Sequence, residues 1–238
     1  MKTTINTADG RRIVGDFKEI KRSRQLVLIC HGLQSSAEHP AIKAITQKLY
    51  NRGHAVFAFN FSDTHGMDLE RQVEDIVQLT KHFSSYDEII LLGGSFGALS
   101  SAIAVNKSPK VRGLVTINGF FGSSKLGKSL LSKYLMFRAM TITSARAKKF
   151  WRFYKEQFHP DHITVPVLVI HSKADRAVSI AQSMTFFTKL SGSKKFETLE
   201  TSDHNLRPGD EIDAIVSVIH EWLNALLVTR FDTVRKNV

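Results

Sequence analysis

The sequence has 238 residues, of which 42% are apolar and 23% are charged, and its formal net charge at pH 7 is +11. This is an ordinary globular composition, which excludes a disordered chain, a collagen-like repeat and a disulfide scaffold. A chain of this length buries roughly 70% of its unfolded surface without needing disulfides or metals. Cys30 is the only cysteine in the sequence, so we expect no intrachain disulfide and a small buried side chain in a reducing environment.

The first residues lack the apolar stretch of a secretory signal, and no apolar run approaches the roughly 20 residues that span a bilayer. We therefore expect a cytoplasmic protein. The positive charge is concentrated in residues 119–160, where nine basic residues accompany one acidic residue and supply +8 of the net charge. A basic chain can bind nucleic acid or anionic membranes, but here the excess belongs to one segment.

Short β-branched and aliphatic runs alternate with segments of helical periodicity along the chain. The predicted strands are Ile13–Phe17, Leu26–Cys30, Ala55–Phe59, Glu88–Leu92, Val111–Ile117, Val167–His171 and Lys195–Leu199. The predicted helices are Ala41–Arg52, Asp68–Phe83, Phe96–Asn106, Ile180–Leu190 and Glu211–Leu227. Near-continuous apolar strands are typical of a parallel sheet that is covered on both faces. We therefore predict one α/β domain over residues 1–238, with a mostly parallel sheet between two layers of helices.

The alternation is interrupted between residues 119 and 160, where no strand is evident. Two amphipathic helices are predicted there instead, at Leu126–Phe137 and Ala145–Phe158, the second with Ser144 as its N-cap. We interpret residues 119–160 as a short helical insertion that lies over the sheet, and we refer to it as the lid insertion.

The most informative motif follows the fourth predicted strand, where Gly93-Gly94-Ser95-Phe96-Gly97 leads directly into a helix. This is the G-x-S-x-G pattern of a nucleophile elbow, in which the serine occupies a strained turn. Gly93 and Gly97 are expected where side chains would collide with neighbouring backbone. The glycines match neither G-x-G-x-x-G nor a Walker loop, so the pattern disfavours nucleotide binding.

A serine hydroxyl needs a base to remove its proton, and in this architecture a carboxylate and then a histidine follow the serine along the chain. Asp175 ends the loop after the sixth predicted strand, and His204 lies in the loop after the seventh. We predict Ser95 as the nucleophile, His204 as the base and Asp175 as the group that orients the imidazole. Asp203 is the weaker candidate for the acid because adjacent side chains diverge.

Such a nucleophile also requires N–H donors for the developing oxyanion, each worth roughly 2.7–4 kcal/mol. We predict that the Phe96 amide, directly after the nucleophile, is one donor and that the Leu33 amide is the other. Gly32 is expected to let the backbone of this second loop turn sharply. The alternative for His31 and Gly32 is an ordinary turn that ends a strand.

No metal or cofactor is expected from the sequence. It contains neither H-E-x-x-H nor Cys-x-x-Cys, and we interpret the cluster of His159, Asp161 and His162 as a polar turn.

Cations alternate with aromatic residues between positions 148 and 155, and three interpretations are open. The favoured one is a helix whose aromatic face covers an acyl pocket while its lysines lie in water. The second is a weak attraction to an anionic membrane or lipid substrate. The third is nucleic-acid binding, which is least favoured because no nucleic-acid module accompanies the charge.

The chain resembles the α/β-hydrolase superfamily in four segments that span nearly its whole length, LVLICHGL, LLGGSFGAL, HSKAD and SDHN. Residues Phe59–Gly66 are also similar to a loop that many such hydrolases carry after the following strand. The likeness is greatest to small carboxylesterases of the cinnamoyl esterase and monoacylglycerol lipase-like branches, which place a lid where the lid insertion falls. The resemblance implies an α/β-hydrolase fold and a serine esterase that acts on a small-molecule ester. Thioesterases, lipases and aminopeptidases share this triad, and a non-catalytic binding protein is the remaining alternative.

Overall fold

The structure is a computed structural model that describes residues 2–62, 68–122, 144–200, 203–206 and 209–235. The described residues form eight strands, which are β1 (Lys2–Asn6), β2 (Arg12–Lys18), β3 (Gln25–Cys30), β4 (Ala55–Asn60), β5 (Glu88–Gly94), β6 (Val111–Ile117), β7 (Val167–Ser172) and β8 (Lys194–Leu199). They also form six α-helices, which are α1 (Pro40–Asn51), α2 (Leu69–His82), α3 (Phe96–Ala104), α4 (Ser144–Gln157), α5 (Ile180–Lys189) and α6 (Asp210–Arg235).

All eight strands belong to one sheet with the order β1-β2-β4-β3-β5-β6-β7-β8. Strand β2 is antiparallel to β1 and β4, whereas every pair of neighbours from β4 to β8 is parallel. The prediction of a mostly parallel sheet is therefore confirmed. Parallel strands direct their carboxyl ends to one edge, so the loops after β3, β5, β6, β7 and β8 meet at that edge.

Helices pack on both faces of the sheet, and the central strands supply apolar side chains to both. In β3, Leu26 and Leu28 belong to the core beneath α2, α3 and α5, whereas Val27 and Ile29 belong to the core beneath α1 and α6. All six residues of β3 are buried. This two-sided burial explains why the central strands have continuous apolar runs rather than an alternating pattern.

Several element boundaries differ from the prediction. Strand β1 was not predicted, because only Ile5 of its five residues is buried and the segment has little hydrophobic pattern; pairing with β2 forms it. Helix α3 ends at Ala104 and a short 3₁₀ helix follows at Val105–Lys107, so the predicted end at Asn106 is wrong. Helix α6 continues to Arg235, beyond the predicted end at Leu227.

The lid insertion contributes α4, which begins at Ser144 itself rather than after it. The other predicted helix of the insertion, Leu126–Phe137, lies outside the described residues, as does the loop after Phe59 from residue 63 onward. Cys30 is buried at the end of β3, and this burial raises the pKa of its thiol to about 12. Within the described ranges, no helix combines the length and apolar character needed to cross a membrane.

Candidate active site

A strained turn joins β5 to α3 at Ser95, which has φ 50° and ψ −118°. A left-handed backbone conformation costs a residue with a Cβ atom about 1–3 kcal/mol, so the surroundings must hold it. The end of β6 and the residues after it supply that support. The Ser95 amide donates to the carbonyl of Ile117 at 3.0 Å, and the Phe120 amide donates to the carbonyl of Ser95 at 3.0 Å.

The glycines two residues before and two residues after Ser95 lie where the backbone leaves no room for a side chain. A Cβ atom on Gly97 would lie 2.2 Å from the carbonyl oxygen of Cys30, and one on Gly93 would lie 2.5 Å from the carbonyl oxygen of Gly97. A Cβ atom on Gly94, by contrast, would have no neighbour within 4 Å. The first and last glycines of the motif are thus required by packing, whereas the middle one is not.

One imidazole connects the serine to a buried carboxylate. His204 Nε2 lies 3.0 Å from Ser95 Oγ, and His204 Nδ1 lies 2.7 Å from Asp175 Oδ2. The Asp175 side chain is fully buried, and its Oδ1 accepts hydrogen bonds of 2.8 Å from the amides of Ala177 and Val178. Because the carboxylate can only accept from Nδ1, that nitrogen carries the proton and Nε2 offers a lone pair to the serine hydroxyl. The structure therefore brings the three side chains selected from the sequence into one hydrogen-bonded series.

The rival carboxylate, Asp203, contacts the histidine differently. Its Oδ1 accepts from the backbone amide of His204 at 2.6 Å, and its side chain is exposed. Asp203 thus shapes the loop that carries His204, while the imidazole itself is oriented by Asp175.

Sequence reasoning did not assign a site role to His171, which lies buried near Asp175. Its Nε2 donates to the carbonyl of Val178 at 3.0 Å, and its Nδ1 accepts from the Ser183 hydroxyl at 2.7 Å. Burial lowers the pKa of His171, which agrees with a neutral ring that uses one nitrogen as donor and the other as acceptor. His171 therefore ties β7 to α5 and to the end of the loop that contains Asp175. The only sequence signal was a polar residue at the end of an apolar strand.

The loop after β3 lies directly against the nucleophile. A Cβ atom on Gly32 would lie 3.0 Å from Ser95 Cβ and 3.4 Å from the carbonyl oxygen of Gly94. The loop turns at Gly32, whose carbonyl accepts from the Ser35 amide at 3.3 Å, but its left-handed residue is Gln34, with φ 56°. Glycine is needed at position 32 for close approach to Ser95.

His31 holds that loop in place. Its Nδ1 donates to the carbonyl of Gly32 at 2.8 Å, and its Nε2 accepts from the Phe61 amide at 3.4 Å. Burial lowers the pKa of His31, so the ring is neutral and bridges the ends of β3 and β4. Leu33 follows in this loop, and Phe96 is the first residue of α3, whose first amides have no intrahelical partner. Both predicted oxyanion donors thus belong to segments that adjoin Ser95.

Helix α4 packs its aromatic face against the residue that follows the nucleophile. The Phe96 ring stacks with Phe120 and with Phe150 of α4, with centroid distances of 6.1 and 6.0 Å. The Tyr154 hydroxyl donates to the carbonyls of Phe121 and Gly122, at 2.7 and 2.6 Å, and burial raises the pKa of Tyr154 to about 12. The helix thereby covers the segment after β6.

The opposite face of α4 carries exposed cations, which are Lys148, Arg152 and Lys155. Lys149 differs from them, because its ammonium group lies 3.2 Å from Asp68 and 3.0 Å from Glu70, at the start of α2. Lys149 therefore attaches α4 to a neighbouring helix, while the other four cations of α4, these three and Arg146, lie at the surface.

We found no convergent metal-binding group among the side chains that the structure describes. His162 and Asp161 of the candidate cluster lie in a short 3₁₀ helix, with 3.7 Å between Nε2 and Oδ2.

Similar folds occur among solved structures. The chain is similar to DcsB, solved in complex with a substrate analogue, with a TM-score of 0.78, 16% identity and coverage of 94% of this chain and 98% of DcsB. It is also similar to a monoacylglycerol lipase from Paleococcus ferrophilus, with a TM-score of 0.72, 17% identity and coverage of 90% and 99% of the two chains. Est1E from Butyrivibrio proteoclasticus, solved with ferulic acid bound, gives a TM-score of 0.70, 17% identity and coverage of 95% and 99%. These likenesses show that the fold is that of the α/β hydrolases.

In sequence, no curated protein matches the chain. A family model does match: that of the prolyl oligopeptidase family covers residues 48–227, which include Ser95, Asp175 and His204. Since this range is well over half of the sequence, the chain belongs to the prolyl oligopeptidase family of α/β hydrolases.

Proposed function

We propose that the protein is a serine hydrolase that cleaves carboxylic esters of modest size through an acyl-enzyme on Ser95. The observation that supports this most strongly is the pair of contacts made by one imidazole, 3.0 Å to Ser95 Oγ and 2.7 Å to Asp175 Oδ2. An imidazole held in this tautomer can accept the serine proton, and the carboxylate stabilises the imidazolium that results.

In the first half of the reaction, Ser95 Oγ attacks the carbonyl carbon of the ester as His204 Nε2 takes the hydroxyl proton. The carbonyl electron pair moves onto oxygen, where the amides of Phe96 and Leu33 are the proposed donors. As the carbonyl re-forms, the bond to the alkoxy group breaks, and His204 returns the proton to the departing alcohol. Asp175 stays ionised throughout and holds the ring.

In the second half, water attacks the acyl-enzyme while His204 again acts as the base. The carboxylic acid leaves and the proton returns to Ser95, which restores the hydroxyl. The net reaction is hydrolysis of the ester by water, with no oxidation or reduction.

The surroundings of Ser95 favour an apolar acyl group. Phe96 follows the nucleophile directly in the chain, and its ring stacks with those of Phe120 and Phe150, so the side chains packed there are aromatic rather than charged. Among the similar structures, one is a monoacylglycerol lipase and another, Est1E, holds ferulic acid, which also supports an acyl or aryl-acid ester as the substrate.

Peptide-bond cleavage is the second candidate, because the family to which the chain belongs is named after oligopeptidases. The same triad can also cleave thioesters, since it determines the reaction type and not the acyl or leaving group. A binding protein with an inert triad is the candidate from a different class.

A substrate panel that keeps the acyl group constant separates these candidates. Each acyl chain or aromatic acid is presented as an alkyl ester, a thioester and an amide, and kcat/KM is measured for each with wild-type protein and with Ser95→Ala. We expect the esters to be cleaved fastest and Ser95→Ala to cleave none. Faster cleavage of the amides would favour a peptidase, and turnover that survives in Ser95→Ala would contradict the proposal.

A further inference from the structure

Asn118 is a buried polar residue directly after β6, at the sheet edge where the candidate site lies. It is 2% exposed and has φ 48°, in the left-handed region that most residues with a Cβ atom avoid. Asparagine tolerates this conformation better than other non-glycine residues do. A buried, left-handed asparagine therefore indicates that both the backbone shape and the side-chain amide are needed at this position.

The Asn118 amide connects the two loops that carry Asp175 and His204. Its Oδ1 accepts from the amide of Ser172 at 2.9 Å, at the end of β7 and just before the loop of Asp175. Its Nδ2 donates to the carbonyl of His204 at 3.4 Å. The backbone amide of Asn118 also donates to the carbonyl of Ile170 in β7 at 3.0 Å.

The chemistry of these partners fixes which way the amide points. A backbone N–H can only donate and a backbone carbonyl can only accept, so the oxygen must face Ser172 and the nitrogen must face His204. The carboxamide of asparagine, with its acceptor and its donor on one carbon, satisfies both. An aspartate at this position would satisfy Ser172 but would bring a carboxylate oxygen against the carbonyl oxygen of His204.

Residues before and after Asn118 contact the turn that carries Ser95. Ile117 accepts from the amide of Ser95, and Phe120 donates to the carbonyl of Ser95, both at 3.0 Å. Residues 117–120 are thus hydrogen-bonded to the nucleophile turn, to β7 before the acid and to the histidine itself. We call this stretch the 117–120 bridge.

We propose that Asn118 is a positioning residue that sets the distance between His204 and Ser95 by linking the histidine loop to the 117–120 bridge. The inference rests on the proposed function, because it concerns the geometry of that triad. A displacement of about 1 Å between reacting groups can lower a rate by about 100-fold. A small shift of the His204 backbone therefore lowers the rate of the chemical step, while the residues that bind the substrate stay in place.

Two substitutions test this role while respecting the left-handed backbone. Asn118→Asp keeps the bond from Ser172 and removes the donor to His204, and Asn118→Gly removes both side-chain bonds at a conformation that glycine adopts freely. With an ester substrate, we expect kcat to fall by about 10-fold to 100-fold in both variants, with KM changed by less than about threefold. The rate of Ser95 labelling by a fluorophosphonate should fall by the same factor as kcat.

Thr116→Val is the matched control, two residues before Asn118 and within β6. Thr116 is buried, and among the described residues its hydroxyl has no hydrogen-bond partner, so valine should leave kcat unchanged. Folded content is measured by circular dichroism and thermal melting for every variant. Unchanged kcat in folded Asn118→Asp and Asn118→Gly, or losses that only track the loss of folded protein, would overturn the positioning role. Absence of Ser95 labelling in the wild type would instead count against the proposed function.

Discussion

His204 is the residue on which the proposed reaction depends, because its two ring nitrogens face different partners. Nδ1 faces a carboxylate that is fully buried and Nε2 faces a serine hydroxyl that is partly exposed. The low exposure of this series strengthens its electrostatic interactions compared with those of the same groups in water.

Removal of the imidazole tests its role as the base. We expect His204→Ala to lower the rate of ester hydrolysis by about 10²- to 10⁴-fold, which is the usual contribution of general-base catalysis. His159→Ala is a suitable control, because His159 is exposed and its described hydrogen bond is to the carbonyl of Glu156. Wild-type hydrolysis by folded His204→Ala would assign the base to another residue.

Individual site residues differ in how far the sequence reveals them. Ser95 has a local signature of fixed spacing, and chain order together with loop position was enough to select Asp175 and His204 for the contacts that the structure shows. Asn118 and His171 have no such signature. Their partners lie on other strands and helices, so only the folded arrangement shows what their side chains hold.

At the scale of elements, the packing of α3 against β3 determines which glycine of the elbow can be replaced. A methyl group on Gly97 would meet the backbone carbonyls of Cys30 and His31 at 2.2 and 2.5 Å, and backbone cannot move aside as a flexible side chain can. We expect Gly97→Ala to lower the free energy of unfolding by about 3 kcal/mol or more, whereas Gly94→Ala should stay within about 1 kcal/mol of wild type. Chemical denaturation measures both, and equal midpoints for the two variants would contradict this packing.

The exposed cations of α4 have two interpretations, solvation of one helix face and contact with anionic lipid. Phe150 on its aromatic face stacks with Phe96, and Lys148, Arg152 and Lys155 are exposed, so the favoured interpretation is still a helix that covers an acyl pocket with its cations in water. That interpretation predicts equal recovery of the protein with neutral and anionic vesicles in a sedimentation assay at about 0.15 M salt, where surface charges are screened beyond about 8 Å. Greater recovery with anionic vesicles, reduced by replacing Lys148, Arg152 and Lys155 with glutamine, would favour lipid contact instead.

Elements were predictable from the sequence where burial imposes a pattern. The buried strands β3, β5 and β7 have runs of apolar residues, and their positions agree closely with the prediction. Strand β1 has one buried residue and was not predicted. Helix α6 extends to Arg235, beyond the predicted end at Leu227. The pairing of β1 with β2 is set by contacts between strands, which the short sequence of β1 does not contain.

At the scale of the whole molecule, two histidines link the start of β4 to α6, on the opposite side of the fold from the loops of the site. His54 Nε2 lies 2.8 Å from His220 Nδ1. Burial, with smaller contributions from the neighbouring His220 and Arg52, lowers the pKa of His54 from 6.5 to about 4. The unfolded chain therefore binds a proton at this position more readily than the folded chain does.

This difference makes stability depend on pH in a defined direction. As the pH falls from about 6.5 to about 4, the unfolded state gains a proton that the folded state resists, so the free energy of unfolding decreases. We expect the melting temperature to fall over this window, and to fall less steeply in His54→Gln. An identical pH dependence in the variant would assign the acid sensitivity to other groups.

The convergence of the site is a property of the sheet as a whole. The loops that carry Ser95, Asp175 and His204 follow β5, β7 and β8, which are parallel and therefore open at the same edge. The alternation of predicted strands and helices was sufficient to anticipate this arrangement. It was insufficient to anticipate distances, which depend on bonds between loops such as those of Asn118.

The most direct test of Ser95 as a nucleophile activated by His204 is labelling of the folded wild-type protein by a fluorophosphonate. The rate of labelling is measured, and the labelled residue is identified by mass spectrometry of the peptides. We expect a single adduct on Ser95 Oγ, lost in Ser95→Ala and formed far more slowly in His204→Ala. A folded protein that leaves Ser95 unlabelled, or that labels equally fast without His204, would contradict it.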